Sequence, residues 1–339
     1  MEIKLIRFVA LLALLAFAQR GSAQVHPSLS GLTIINACDY CIASQGLTPI
    51  DAGQSGIAYD LRYLSNRSLY NGSNEITNVR EAKETYITHL FSFFYRFSDE
   101  LSAVIQIPIA SRSEWGRSAA QQPASFAPSA NKPIEPQHIT TDLPYSNRNT
   151  GLSDIIVMAR YKLLSEDQYS LSLLGGLKLP TGGVSAYDHN GVRLNMQMQL
   201  GSGSLDPLTG ISFYYSYDQY SLSFGTLYSV PTIGANQYNF GNNLNLDLTM
   251  RYQVLAFDES PTFFASLGLS GELHGQETQD GAAVANTGGT TIYITPGLRC
   301  LAFTSFALEA TYQYPIYHRL NGTQLGEDFR LLLGVQYWL

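Results

Sequence analysis

The chain has 339 residues and a formal net charge of -7; 14% of its residues are charged, 12% are aromatic, and its mean hydropathy is -0.04. A soluble domain carries about 25% charged residues, and a chain of membrane-spanning helices is far more apolar, so both classes fit poorly. The negative balance, with no basic run, argues against a nucleic-acid partner.

Lys4 and Arg7 precede an apolar core at 8–18, and Gly21-Ser22-Ala23 offers small residues for cleavage. That core is too short to span a bilayer as a helix, so residues 1–23 read as a secretion signal, with an N-terminal anchor helix as the alternative. No later stretch reaches 18 apolar residues. Residues 24–53 lack any alternation and hold Ala37-Cys38-Asp39-Tyr40-Cys41. In an oxidising compartment Cys38 and Cys41 read most simply as a local disulfide, with a redox-active pair as the alternative. No second cysteine pair completes a zinc site, and Ile42 stands where haem attachment needs His, so no metal or cofactor is expected. Leu32-Thr33-Ile34-Ile35 and Ile42 are poorly suited to water. The segment is therefore expected to tuck into or under the following domain as a plug; a mobile tail is the alternative.

From 54 to 339 the pattern is period two, which places every second side chain on one face of a strand. Residues 56–64 alternate, with Ile57, Tyr59, Leu61 and Tyr63 on one face. A polar loop runs to Glu84. Residues 85–97 and 101–111 pair around Ser98-Asp99-Glu100. The longest loop follows, 112–150, with five prolines, a density no sheet interior tolerates. Residues 152–164 and 169–179 pair around 165–168. In 192–200 even-numbered residues are apolar, but the phase flips across Gly201-Ser202-Gly203, so 180–204 is assigned to a loop that extends a strand or folds inward. Residues 211–217, led by Pro207, pair with 220–230 around Asp218-Gln219. The clearest hairpin is 243–254 with 263–274, two arms of over ten residues each around a turn at 257–260. Strands at 290–301, 306–316 and 328–339 complete the set.

Connections near 98, 166, 218, 258 and 304 are short; those near 70, 130, 190, 235, 281 and 322 are expected to be long. This alternation implies an all-β protein, a transmembrane antiparallel up-and-down β-barrel of about 12 strands in a Gram-negative outer membrane, with N- and C-termini periplasmic. Such a chain is expected to meet outer-membrane lipid, a small-molecule solute and the barrel-assembly machinery. Its apolar face would meet lipid, and Cys300 would lie on it. Asp60, Arg62, Arg96, Asp154, Arg160, Lys162, Lys178, Asp247, Arg251, Glu272, Arg299, Glu309 and Arg330 would then line the lumen. Two readings of these charges stand: cross-strand pairs that fill a narrow barrel, or a selectivity lining. The alternating 328–339 strand ends on Trp338 and Leu339, where outer-membrane barrels usually close on Phe or Trp.

Several short motifs fall at strand ends in a fixed order: Gly151-Leu152-Ser153-Asp154, Lys178-Leu179-Pro180-Thr181-Gly182, Leu200-Gly201-Ser202-Gly203-Ser204-Leu205-Asp206, Pro296-Gly297-Leu298-Arg299, Tyr314-Pro315-Ile316-Tyr317 and Asn321-Gly322. In this order the chain resembles, over roughly 56–339, the outer-membrane transporter-type barrel family named for the meta-pathway of phenol degradation. That family is similar in architecture to long-chain fatty-acid and aromatic-hydrocarbon channels. The resemblance implies passive passage of small, hydrophobic or aromatic molecules and supplies no catalytic residues. The alternatives are a barrel-anchored surface protein, binding through Trp115 and the Pro-rich loop, and an outer-membrane enzyme. The six histidines form no HExxH or CxxCH motif, and His89 and Ser92 fall on opposite faces, so no enzyme is expected.

Overall fold

The computed structural model describes residues 37–38, 41–42, 55–118, 143–257, 261–302 and 305–339. Within these, period-two alternation has become twelve barrel strands, with no helix long and apolar enough to cross a membrane. They are β1 (Ser55–Asn71), β2 (Lys83–Arg96), β3 (Leu101–Ser118), β4 in two pieces (Leu143–Leu152 and Ile156–Ser165), β5 (Tyr169–Lys178), β6 (Asp206–Tyr217), β7 (Tyr220–Ser229), β8 (Asn243–Ala256), β9 (Thr262–His274), β10 (Gly289–Ala302), β11 (Phe306–Leu320) and β12 (Thr323–Trp338). Each pairs antiparallel with its neighbour in sequence, and β12 pairs with β1 from Thr323 opposite Asn71 to Trp338 opposite Gly56. This closure leaves no sheet edge unpaired, which a hydrocarbon surround demands.

Two expectations about connections need correction. The 112–150 loop is shorter than expected, because β3 continues to Ser118 and the outer piece of β4 pairs with it from Ile109 opposite Leu152 to Ser118 opposite Leu143. Of the five prolines Pro144 lies among the described residues, near the long-loop end of its strand, where a missing N–H does little harm. The connection near 322 is a two-residue turn, Asn321-Gly322, with Gly322 at φ +72°; that left-handed backbone is why a glycine stands there. The 1–23 and 24–53 segments lie outside the described residues except at 37–38 and 41–42. There two short strands pair antiparallel with Cys38 opposite Cys41. The expected plug falls on the undescribed part, and the side chains that would form the expected disulfide lie outside the described ones.

The outer surface is apolar, from Ile57, Phe93, Ile105, Leu173 and Ile211 to Leu248, Leu267, Leu298 and Leu333, all well exposed. A soluble protein does not display so continuous an apolar belt. Exposed Tyr95, Tyr161, Tyr169, Tyr217, Tyr252 and Tyr337 ring the short-turn end, and Tyr228, Tyr314 and Tyr317 stand toward the other. On β7, Tyr220 and Tyr228 are separated by roughly 20 Å along the barrel axis, at 3.3 Å per residue and a tilt near 40°. These are the two aromatic girdles of a bilayer-spanning band.

Candidate functional site

The barrel interior concentrates buried polar side chains, and the 179–205 connection folds into it. Leu194, Met196, Met198 and Leu200 are buried, and Met196–Met198 form a single 3-10 turn capped by Asn195. Three of the strand-end motifs meet at the root of this loop. The β4 strand breaks at 153–155, and the Asp154 carboxylate turns inward. It accepts the Gly182 N–H at 2.9 Å, the Ser202 N–H at 2.8 Å and the Ser202 hydroxyl at 2.7 Å. Ser153 Oγ donates to the Leu200 carbonyl at 2.5 Å. Lys178 Nζ, buried, lies 2.5 Å from Asp206 and 3.8 Å from Asp154. Gly182 and Gly201 face each other so closely that a Cβ on Gly182 would fall 2.6 Å from the Gly201 Cα. Here the glycines serve close backbone approach, and their lack of a side chain is what lets the two ends of the loop cross.

Further along, Arg112 of β3 donates to the carbonyls of Gln197, at 2.7 Å, and Gln199. Asn149 Nδ2 of β4 donates to the Met198 carbonyl at 2.9 Å. The loop tip is then tied to two other connections. Gln197 Nε2 donates to Tyr238 Oη at 2.8 Å and to Glu277 Oε2 at 2.5 Å, and the Tyr238 hydroxyl donates to the same Glu277 oxygen. Met196, Tyr238 and Phe240 form a small apolar cluster beside it. Burial pushes the Glu277 carboxyl above the usual range; the hydrogen bond from Tyr238, the His274 charge and the bond from Gln197 oppose that shift. Burial, with Glu277 alongside, also raises the Tyr238 hydroxyl.

The charged side chains expected in the lumen differ in burial. Arg96, Lys162, Arg251 and Glu309 are partly exposed, and the others are buried. They fall into separate groups. Arg96 lies at the short-turn end, 3.0 Å from Asp99, and Arg160 Nε donates to Ser172 Oγ at 3.0 Å. Asp60 and Arg62 share the interior face of β1. Glu309 lies between Arg251, at 3.6 Å, and Arg299, at 3.8 Å, with Asp247 on the same face as Arg251 accepting from Thr249 at 2.9 Å. Arg330 makes a two-pronged contact with Glu272, at 2.6 and 2.8 Å, and lies 2.5 Å from Glu327. Besides its own charges, the β1–β7 wall carries one buried apolar cluster: Ala58, Leu90, Phe94, Val104, Ile156, Met158, Leu174, Leu208 and Leu227. The lumen therefore carries an apolar strip along β1–β7, set among the charges of those strands, across from the Glu309 and Arg330 charge groups of β8–β12.

Strict alternation misses some of the residues that matter. Glu327 is odd-numbered on a strand whose inward residues Arg330 and Leu332 are even, yet it points inward, because the β12–β1 register shifts on both sides of it. The extra residue, Asp328, is taken up by Ser65 Oγ at 3.3 Å and the Ser68 N–H at 3.2 Å. A second irregularity lies in Tyr314-Pro315-Ile316-Tyr317, where Ile292 faces Tyr317 and Tyr293 faces Pro315. It turns both Gln313 and His318 inward, and His318 then meets Thr291 and the Tyr70 ring. Bulges re-aim side chains in this way, and proline is at home in them. Arg112 falls in the stretch that the proline density assigns to a loop, although its even number matches the inward phase of β3. Tyr238 lies in a two-residue strand, Tyr238–Asn239, that pairs with Thr278–Gln279 outside the barrel sheet, and Glu277 directly precedes that partner; pieces this short carry no periodic signal. His89, by contrast, lies on the outer face and bonds to Tyr59 Oη at 2.8 Å.

No curated protein matches the sequence. In fold the chain is similar to the crystal structure of an outer-membrane channel from Pseudomonas putida F1, with a TM-score of 0.63 at 15% identity over 90% of this chain and 100% of that one. The β-domain of the Bordetella autotransporter BrkA aligns at 0.46 and 10% identity over 85% and 100% of the two chains. A FadL homologue from Pseudomonas aeruginosa aligns at 0.41 and 10% identity over 84% and 90%. Both of these likenesses are too loose to argue from. The model of the family described as "Putative MetA-pathway of phenol degradation" matches residues 99–319. The chain is an outer-membrane β-barrel and belongs to that family.

Proposed function

We propose that the protein is a channel for passive passage of small molecules with an apolar or aromatic body and a polar end. The long-loop end would face outward and both termini the periplasm. The observation that carries this reading is the lumen lining, an apolar strip across from the Glu309 and Arg330 charge groups, with the 179–205 loop fastened inside it as the constriction. A soluble core would have no use for a ladder of paired charges, whereas a conducting wall needs groups that bind solute weakly at several depths. The similarity in fold to an outer-membrane channel supports the same reading.

Planar bilayers and solute-loaded liposomes test it. Purified full-length protein should pass small amphiphilic aromatics faster than sugars of equal size. Removing residues 184–199, which leaves the Asp154 anchor in place, should raise conductance several-fold. A tight barrier to every solute class in both proteins would end the channel reading.

A further inference from the structure

Above the apolar band, the barrel wall formed by β1 to β4 has two chemically opposite faces. Its inward face holds Glu84 and Glu114, bonded to Asn66 at 3.1 Å and Asn147 at 2.7 Å. Its outward face holds Arg67, Lys83, Arg117 and Arg148, all exposed, around Trp115. Lys83 Nζ lies 4.8 Å from the Trp115 ring centre. Glu81 pairs with Arg117 at 3.3 Å; among the described residues no carboxylate lies within ion-pair reach of Arg67, Lys83 or Arg148. The ladder sets the spacing. Lys83 faces Trp115, Arg148 faces Ser113, Arg117 faces Pro144, and Asn66 opposite Glu84 brings Arg67 abreast of Lys83. Four cations thus share a patch of roughly 15 by 13 Å, from strand spacings near 4.8 Å and rises near 3.3 Å. This is a dense positive face on a chain whose net charge is -7.

Moving up the same face, the chemistry is layered. Exposed Ile105 and Ile109 come first, then the hydroxyls of Ser111 and Thr150, 2.8 Å apart, then Ser113, then the cations and Trp115. Trp115 stands roughly 15 Å above Ile109 along the barrel axis, at 3.3 Å per residue and a tilt near 40°. Acyl chains, glycerol or sugar, and phosphate follow in that order through one leaflet.

We propose that this face binds the phosphorylated headgroup of a glycolipid in the leaflet at the long-loop end of the barrel. Guanidinium and ammonium groups form short, charge-assisted bonds to phosphate oxygens. Their stems lie along the wall while the heads reach the headgroup layer, and the tryptophan suits the same depth. A lipid is favoured over soluble phosphate because the apolar band directly below gives its acyl chains a seat. The assignment is independent of what crosses the lumen.

The chain has two tryptophans, so Trp338→Phe leaves Trp115 as the sole reporter. The full-length protein in nanodiscs of uncharged lipid is titrated with a bisphosphorylated glycolipid, the same glycolipid after dephosphorylation, and inorganic phosphate. Trp115 emission should shift and saturate with the first probe alone, and added salt should weaken the binding. Lys83→Gln combined with Arg148→Gln should weaken it about thirtyfold, at about fivefold per cation. Heat-dependent gel mobility reports folding; if the pair fails to fold, Arg148→Gln alone should cost about fivefold. Equal saturation by the dephosphorylated lipid or by inorganic phosphate, an unchanged affinity in the variant, or no shift with any probe overturns the proposal.

Discussion

Asp154 fastens both ends of the inward loop. Its carboxylate takes two backbone N–H groups and one hydroxyl from the two ends of the 179–205 connection, and lies beside the buried Lys178. Removing it orphans the Gly182 and Ser202 N–H groups, at about 1–3 kcal/mol each when they stay buried. Lys178 keeps Asp206, so the barrel wall itself should survive. Asp154→Ala is therefore expected to loosen the loop by about 2–5 kcal/mol. Protease cleavage within 184–199 should accelerate while the folded barrel keeps its gel mobility. Unchanged cleavage would mean that Arg112 and Asn149 hold the loop without it.

At the scale of elements, the inward loop, the 230–242 connection and the 275–288 connection behave as one unit, because Gln197, Tyr238 and Glu277 share hydrogen bonds. Burial raises the Glu277 carboxyl, so the folded arrangement binds a proton more tightly than the unfolded chain does. The sign follows: this contribution is fully present below the unfolded value and is lost as pH rises through the raised folded value. Acidification from pH 7.5 toward 5 should therefore tighten the 275–288 connection. Hydrogen exchange there, corrected for intrinsic rates, should slow at the lower pH, and Glu277→Gln should flatten the dependence. Faster exchange at pH 5 in the unaltered protein would contradict it. The β4 break and the two bulges act at the same scale. Each flips the phase of a strand, and between them they bring Asp154, His318 and Glu327 into the interior.

For the molecule as a whole, the apolar belt and two aromatic girdles make the barrel a membrane object, and depth should set the cost of a charge on its outside. Leu333 and Tyr337 both face outward on β12, Leu333 within the belt and Tyr337 in the short-turn girdle. Leu333→Arg should destabilise the barrel by about 2–4 kcal/mol, and Tyr337→Arg by about 0–1 kcal/mol. Denaturant unfolding from lipid vesicles measures both. Equal costs would place the belt outside the hydrocarbon.

The alternation of residues 243–254 and 263–274 by itself determined a two-faced strand pair, and its recurrence with short and long connections determined a closed barrel of twelve strands. That Asp60 and Arg62 share one face of β1, and Asp247 and Arg251 one face of β8, followed from parity alone. Parity is a local property, fixed by the direction of successive Cβ atoms, so one sequence suffices to read it. Its reach ends at a bulge or a break: Glu327 and His318 could be placed only once the β12–β1 and β10–β11 registers were known. The motifs at 151–154, 178–182 and 200–206 were visible as short strings, but nothing in their spacing said that they meet. Only the tertiary structure decided that they clasp one loop inside the lumen. Only it joined Gln197, Tyr238 and Glu277, because the backbone of connections takes its path from the hydrogen-bond partners it finds in other connections, as where Tyr238–Asn239 pairs with Thr278–Gln279.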